Sequence, residues 1–216
     1  MSISKRIILP SVALALLGCT VAQQTTSAST AQKSTTNLSA QPINQVKISN
    51  NTDNLYIKTG KELSVDYDGP KASAPIVQVK NNCLELRSQH RFSFNFFSKN
   101  TYNITITLPQ NRLQSFSIDS SNGNVKVDKL DAEKGHISTS NGDITISELI
   151  SQFGFELSSS NGDIVVEHSN ASGYDFSNSN GINKFRNTTV SSSFSKINSK
   201  VNVLELNNSN GDIIIH

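Results

Sequence analysis

Three aspartates follow Asn-Gly directly in this chain: Asp143, Asp163 and Asp212. Paired carboxylates at short range can share a proton, divide acid and base roles, or hold a calcium ion. If the segments carrying Asp143 and Asp163 are stacked as neighbouring strands, the two carboxylates stand about 5 Å apart. That arrangement would suit a polysaccharide-acting enzyme. Two features weigh against it. The same slot holds Asn124 and Ile182 in sister segments, and no Arg, Lys or aromatic residue recurs beside the Asp to hold a sugar. The other reading is structural, with each Asp accepting backbone amides at a turn, and the residues favour it.

Other reactive groups are few. His90, His136, His168 and His216 have no metal-site spacing and lie near no nucleophile motif. No phosphate loop, G-x-S-x-G or H-E-x-x-H motif is present. No cofactor, no metal and no catalytic residue is expected. Cys83, in NNCLELRS, stands beside alternating Leu84 and Leu86 and reads as a structural thiol. The second cysteine, Cys19, closes Leu16-Leu17-Gly18-Cys19 after a basic pair, Lys5 and Arg6, and the 11-residue apolar run Ile7–Leu17. A bilayer span needs roughly 20 apolar residues, so this run is too short. Its layout is that of an export signal.

The cysteine after a small residue resembles a bacterial lipoprotein signal. The resemblance implies cleavage before Cys19, a diacylglyceryl thioether on its sulfur and a third acyl chain on its new amino group. Three chains would hold the protein to a membrane without a spanning helix. Thr20, rather than Asp, follows the cysteine, which favours the outer membrane. With Cys19 acylated, Cys83 has no partner and a disulfide framework is excluded. Lys5 and Arg6 are two of the 19 basic residues, so their removal leaves 17 against 17 acidic ones. No basic stripe remains to attract nucleic acid.

These readings divide the chain into a signal (1–18), a Ser/Thr/Gln tether (19–43), an N-terminal β segment (44–110) and a repeat region (111–216). The tether has almost no large apolar residue and cannot offset its ordering entropy. Its mean reach is about 25–30 Å.

The elements that must position the aspartates come from the repeat. Ser-Asn-Gly occurs five times, with glycines at 123, 142, 162, 181 and 211, at intervals of 19, 20, 19 and 30. Apolar residues alternate on both flanks of each turn, as in Ile137 before Gly142 and Ile144 and Ile146 after it. Alternation at period two on both sides predicts two half-buried strands joined by a corner. One such unit cannot bury its own apolar face, but stacked units can. The prediction is therefore an all-β β-solenoid, a single-stranded β-helix of ~19-residue coils. Asn122, Asn141, Asn161, Asn180 and Asn210 would form an amide ladder at one corner, each followed by Gly123, Gly142, Gly162, Gly181 or Gly211, and both Asn and Gly accept positive φ cheaply there. A meander of hairpins in an antiparallel sandwich is the rival. Residues 194–203 read as a degenerate coil that has lost its Gly.

Residues 46–109 carry six less regular strand patterns and read as a cap over the first coil. Phe92, Phe94, Phe96 and Phe97 mark either an aromatic plug or an exposed contact patch. The final Ile213–Ile215 strand has no visible cap, so self-association through that edge is expected.

Ile-Thr-Leu-Pro (106–109), then Leu113-Gln-Ser-Phe-Ser-Ile118, then the Ser-Asn-Gly-Asp-Ile units, resembles the bacterial putative-adhesin domain family, related to the head GIN adhesin domains. The likeness covers roughly residues 44–216. It implies a β-solenoid on an exported or membrane-attached protein and supplies no functional residues. The unit at Gly181 departs from the pattern with Ile182 and Asn183. The expected function is a lipid-anchored, non-enzymatic cell-envelope domain that contacts a glycan or an envelope protein, with a polysaccharide-acting enzyme and a structural spacer as alternatives.

Overall fold

A computed structural model describes residues 32–38, 42–89 and 102–216. The Cys19 signal, His90 and the 92–97 aromatic run lie outside the described residues. The fold is all-β. The strands are β1 (Gln32–Asn37), β2 (Gln45–Asn50), β3 (Asn54–Gly60), β4 (Ser64–Gly69), β5 (Ile76–Lys80), β6 (Cys83–Arg87) and β7 (Asn103–Pro109), with one short 3-10 turn at Lys71–Ser73. The repeats supply β8 (Ser115–Asn122), β9 (Val125–Ala132), β10 (Gly135–Asn141), β11 (Ile144–Ser151), β12 (Phe155–Asn161), β13 (Ile164–Ser169), β14 (Gly173–Asn180) and β15 (Asn183–Phe185). They end with β16 (Thr188–Val190), β17 (Ser193–Ile197), β18 (Val203–Asn210) and β19 (Ile213–Ile215). Two mixed sheets result, one of ten strands and one of nine.

Each Ser-Asn-Gly unit places its first strand in the nine-stranded sheet and its second in the other. We call such a pair a rung. Equivalent residues of successive rungs pair in parallel and in register: Ile118 with Ile137, Ile137 with Leu157, Val125 with Ile144, Ile144 with Ile164. Ile144 and Ile164 both point into the common interior and are fully buried. Facing columns of Val, Ile, Leu and Phe fill the space between the sheets. Gly135, an apparent gap in the apolar pattern, is where a Cβ would meet the Phe155 ring at 2.6 Å and the Phe116 carbonyl at 2.2 Å. The missing side chain makes room for a neighbour's aromatic ring.

The rungs are not stacked in sequence order. After β12 comes β18, and only then β14. In the other sheet β19 lies between β13 and β15. The last unit of the chain is thus inserted beneath the unit that precedes it. The expected coil in strict succession is corrected on this point. So is the expected self-association edge: Ile213 pairs with Ile164 on one side and Asn183 on the other, so the C-terminal strand is interior.

The other end mirrors this inversion. β2 and β3 pair in parallel with β8 and β9. β6 and β7 pair in parallel outside β2 and β3. The N-terminal segment, expected as an irregular cap, thus adds two further rungs to the same stack, here with the later one outermost.

Each end is closed by antiparallel strands, β5, β4 and β1 at one end and β16 and β17 at the other. Two-residue hairpins join β5 to β6 and β15 to β16. Their central residues, Asn81-Asn82 and Arg186-Asn187, all have positive φ, between 49° and 64°, as a type I′ turn demands. Two expectations change here. Residues 194–203 are not a degenerate coil, since β17 runs antiparallel to β14. Residues 32–37, assigned to the tether, form a strand paired with β4.

Candidate functional site

The repeated corner concentrates the polar groups. Three columns run along it. In the outermost, each Asn amide nitrogen donates to the side-chain oxygen of the rung before it in space: Asn141 to Asn122 at 2.9 Å, Asn161 to Asn141 at 3.0 Å, Asn210 to Asn161 at 3.0 Å and Asn180 to Asn210 at 3.1 Å. The same nitrogens also reach the carbonyls of Ser121, Ser140, Ser160 and Ser209. The spatial order, with Asn210 before Asn180, follows the inverted rungs. None of these Asn residues has positive φ. Their identity is set by the ladder and not by backbone conformation.

The glycines form the second column and do carry the positive φ, from 107° at Gly123 to 151° at Gly142. A Cβ on Gly142 would sit 2.3 Å from the Gly123 carbonyl oxygen, and one on Gly211 2.3 Å from that of Gly162. Only a residue without a side chain allows this stacking.

The third column contains the aspartates. Asp143 Oδ1 accepts the backbone amide of Asp163 at 2.9 Å, and Asp163 Oδ1 that of Asp212 at 2.7 Å. Asp212 Oδ1 accepts the amide of Ile182 at 2.8 Å, and Asn124 Oδ1 that of Asp143 at 2.9 Å. The series starts at Asn54, which accepts the amide of Asn124 at 3.0 Å. Each side chain ties its rung to the next. Ile182 belongs to the last rung in this series and supplies only its amide, so its side chain needs no acceptor. The irregularity at Gly181 is thereby explained by position. Asn183, its other departure, is buried; it accepts from Asn178 at 2.8 Å and donates to the Ser191 carbonyl at 2.9 Å.

Two polar arrays went unread in the sequence. Ser120, Thr139, Ser159, Asn208 and Asn178 lie three residues before each Gly and are buried. Asn208 donates to the Gly162 carbonyl and Asn178 to that of Gly211, both at 2.9 Å. The signal was present as a recurring small polar residue on the inward parity. At a second corner, Asn170 accepts the Ser151 amide at 2.9 Å, and Ser151 Oγ donates to Asn202 Oδ1 at 2.6 Å.

Near the first rung, Asp53 is buried and accepts from Ser88, whose hydroxyl also lies 3.0 Å from Asn50 Oδ1. Burial pushes its carboxyl above the ordinary carboxylate range, while the Ser88 and Tyr102 hydrogen bonds pull the other way. Burial and the Glu85 charge raise the Cys83 thiol. Cys83 is half-buried and unpaired, in keeping with a structural thiol. His136 faces outward, 3.3 Å from Asp119, and His168 and His216 are exposed. Among the described residues no cluster of His, Cys, Asp or Glu could hold a metal.

The outer face of the nine-stranded sheet is a polar lattice. Asp119, Ser138, Ser158, Asn207, Ser177 and Ser193 form one row in register across it. Ser121, Ser140, Ser160, Ser179 and Ser209 are exposed next to the Asn ladder. A parallel row places Glu156, Glu205 and Asp175 side by side. Beside them opens a groove of about 510 Å³, lined by His136, Phe153, Glu156, Lys200 and Glu205 among others. Phe153 is 54% exposed.

No curated protein matches the chain. Among solved structures, its fold is similar to that of a putative cell adhesion protein from Clostridium sporogenes, with a TM-score of 0.62 and 13% identity over 86% of this chain and 98% of that one. A putative adhesin from Bacteroides fragilis aligns at a TM-score of 0.39 and 17% identity, over 86% and 97% of the two chains. At 13% identity the likeness to the first of these speaks to the fold alone. The family described as Toastrack DUF4097 matches residues 43–216, the stretch that builds the seven rungs, and the chain belongs to that family of putative-adhesin domains.

Proposed function

We propose that this protein is a non-enzymatic contact domain of the cell envelope, a β-solenoid whose nine-stranded sheet presents its polar outer face to a repetitive partner. The observation that carries the reading is the row from Asp119 to Ser193, in which hydroxyl, amide and carboxylate groups recur at the strand spacing of about 4.8 Å. Rigid rungs fix these groups before binding, so little ordering entropy is lost on contact. A polymer with its own repeat, such as an envelope glycan, can then engage many weak contacts together. Export and an outer-membrane lipid anchor at Cys19 belong to the same proposal and rest on the sequence of residues 1–20.

The geometry of the corner supports a structural role for the aspartates. One oxygen of Asp143 and one of Asp163 are occupied by the backbone amide of the next rung. Asn at both positions keeps an acceptor there and removes any carboxylate chemistry. Residues 42–216, with and without Ser138→Arg and Ser158→Arg, are to be tested in a pull-down against purified envelope glycans and envelope proteins. Retention lost in the double Arg variant supports the outer face as the contact surface. Equal retention of both forms, or glycan cleavage abolished by D143N/D163N, overturns the reading. Incorporation of labelled fatty acid into the full chain, lost in Cys19→Ala, tests the anchor.

A further inference from the structure

Asn-Gly is the dipeptide most prone to spontaneous deamidation. The Gly backbone nitrogen attacks the Asn side-chain carbonyl carbon and a new N–C bond closes a succinimide. The side-chain nitrogen leaves as ammonia, taking up the proton released by the glycine nitrogen. Water then opens the ring at either carbonyl, giving aspartate or isoaspartate. The chain carries five such dipeptides with the same preceding serine, so the local sequence hardly separates them.

The stack does separate them. In four, the attacking nitrogen is already engaged. The Gly123 amide donates to the Asn141 carbonyl at 3.0 Å, Gly142 to Asn161 at 2.8 Å, Gly162 to Asn210 at 3.0 Å and Gly211 to Asn180 at 2.9 Å. In the same four, the side-chain oxygen of the Asn under attack accepts the next amide of the ladder. Succinimide closure at Asn122, Asn141, Asn161 or Asn210 must break both bonds within a rigid array. The fifth dipeptide lies in the last parallel rung, where the ladder stops. Among the described residues nothing accepts from the Gly181 amide and nothing donates to Asn180 Oδ1. The Asn180 side chain is exposed and is held only through its Nδ2, by the Ser209 carbonyl at 3.3 Å and Asn210 Oδ1 at 3.1 Å.

We propose that Asn180 is a selective site of spontaneous deamidation in the folded protein, and that the other four Asn-Gly pairs are shielded by their place inside the stack. The product would carry a carboxylate at the stack end, or an extra backbone methylene between β14 and β15. No further rung depends on Asn180 as an acceptor in the ladder, so the lesion stays local.

The test is a time course in mildly alkaline buffer, followed by digestion under acidic conditions and chromatographic mass spectrometry of all five Asn-Gly peptides. A parallel sample is unfolded in urea. In urea the five sites should convert at comparable rates. In the native protein Asn180 should convert at least about tenfold faster than any other, since each interior site must first lose two hydrogen bonds. Equal native rates at all five sites, or an Asn180 as slow as Asn141, would overturn the proposal.

Discussion

Neighbouring Asn and Asp side chains at the corner do opposite work. The Asn donates back along the stack through its nitrogen, whereas the Asp accepts the amide of the next rung. This asymmetry makes substitutions predictable. Asp143→Asn retains an acceptor for the Asp163 amide and should change stability by less than about 0.5 kcal/mol in a denaturant titration. Asn141→Asp loses the donation to Asn122 and Ser121 and should cost about 1–3 kcal/mol. Gly142→Ala faces both a φ of 151° and a backbone oxygen 2.3 Å from the new carbon. Strain alone is about 1–3 kcal/mol, and the overlap adds to it, so the melting temperature should fall more than for any single Asn change. Asp53 gives a pH signature. Its carboxyl is raised in the native state, so the folded protein holds that proton to higher pH than the unfolded chain. Its contribution to stability therefore declines as pH rises from about the ordinary value of 3.8 through the raised native value. Asp53→Asn should flatten that decline in urea midpoints measured across the acid range. The ladder was legible in the sequence because one tripeptide repeats in register. The inward Ser, Thr and Asn column was not, because small polar residues near a turn look solvated until the corner is seen to fold over them.

Alternation at period two was enough to place β8 to β15 and to pair β8 to β13 in parallel with their successors. It could not reveal that the 30-residue interval between Gly181 and Gly211 holds an antiparallel cap, because short edge strands and worn coils leave the same pattern. The cap has its own chemistry. Phe185 lies 4.9 Å from the Tyr174 ring and 5.3 Å from Phe194, and Phe176 lies 5.4 Å from Phe194. These rings close the apolar interior where the aliphatic columns end. Phe185→Ala should cost about 3–5 kcal/mol, and hydrogen exchange should locate the loss at β14, β15 and β18 while β8 to β11 stay protected. The equivalent signal at the other end was also hidden. β2 and β3 make a full rung without Ser-Asn-Gly, because Asp53 supplies the carbonyl on which Gly123 stacks and Asn54 supplies the acceptor.

For the whole molecule, the seven rungs form one stack in which the outermost rung at each end is preceded or followed in sequence by the rung beneath it. Removing residues 203–216 would therefore take a layer from the interior and not fray an end. The expected result is loss of the cooperative unfolding transition for β14 to β17, although all of those residues remain, as read by circular dichroism and exchange protection. The all-β character and the parallel register of the repeats were predicted through repetition, while the spatial order was not, since every rung offers the same register to every other and only the cap residues break the tie. That interleaving also limits how such a protein can lengthen. A tandem copy of the final segment appended after His216 would find both flanking positions taken. A copy spliced between β13 and β14 would slip into the run like an added page, leaving both covers where they are.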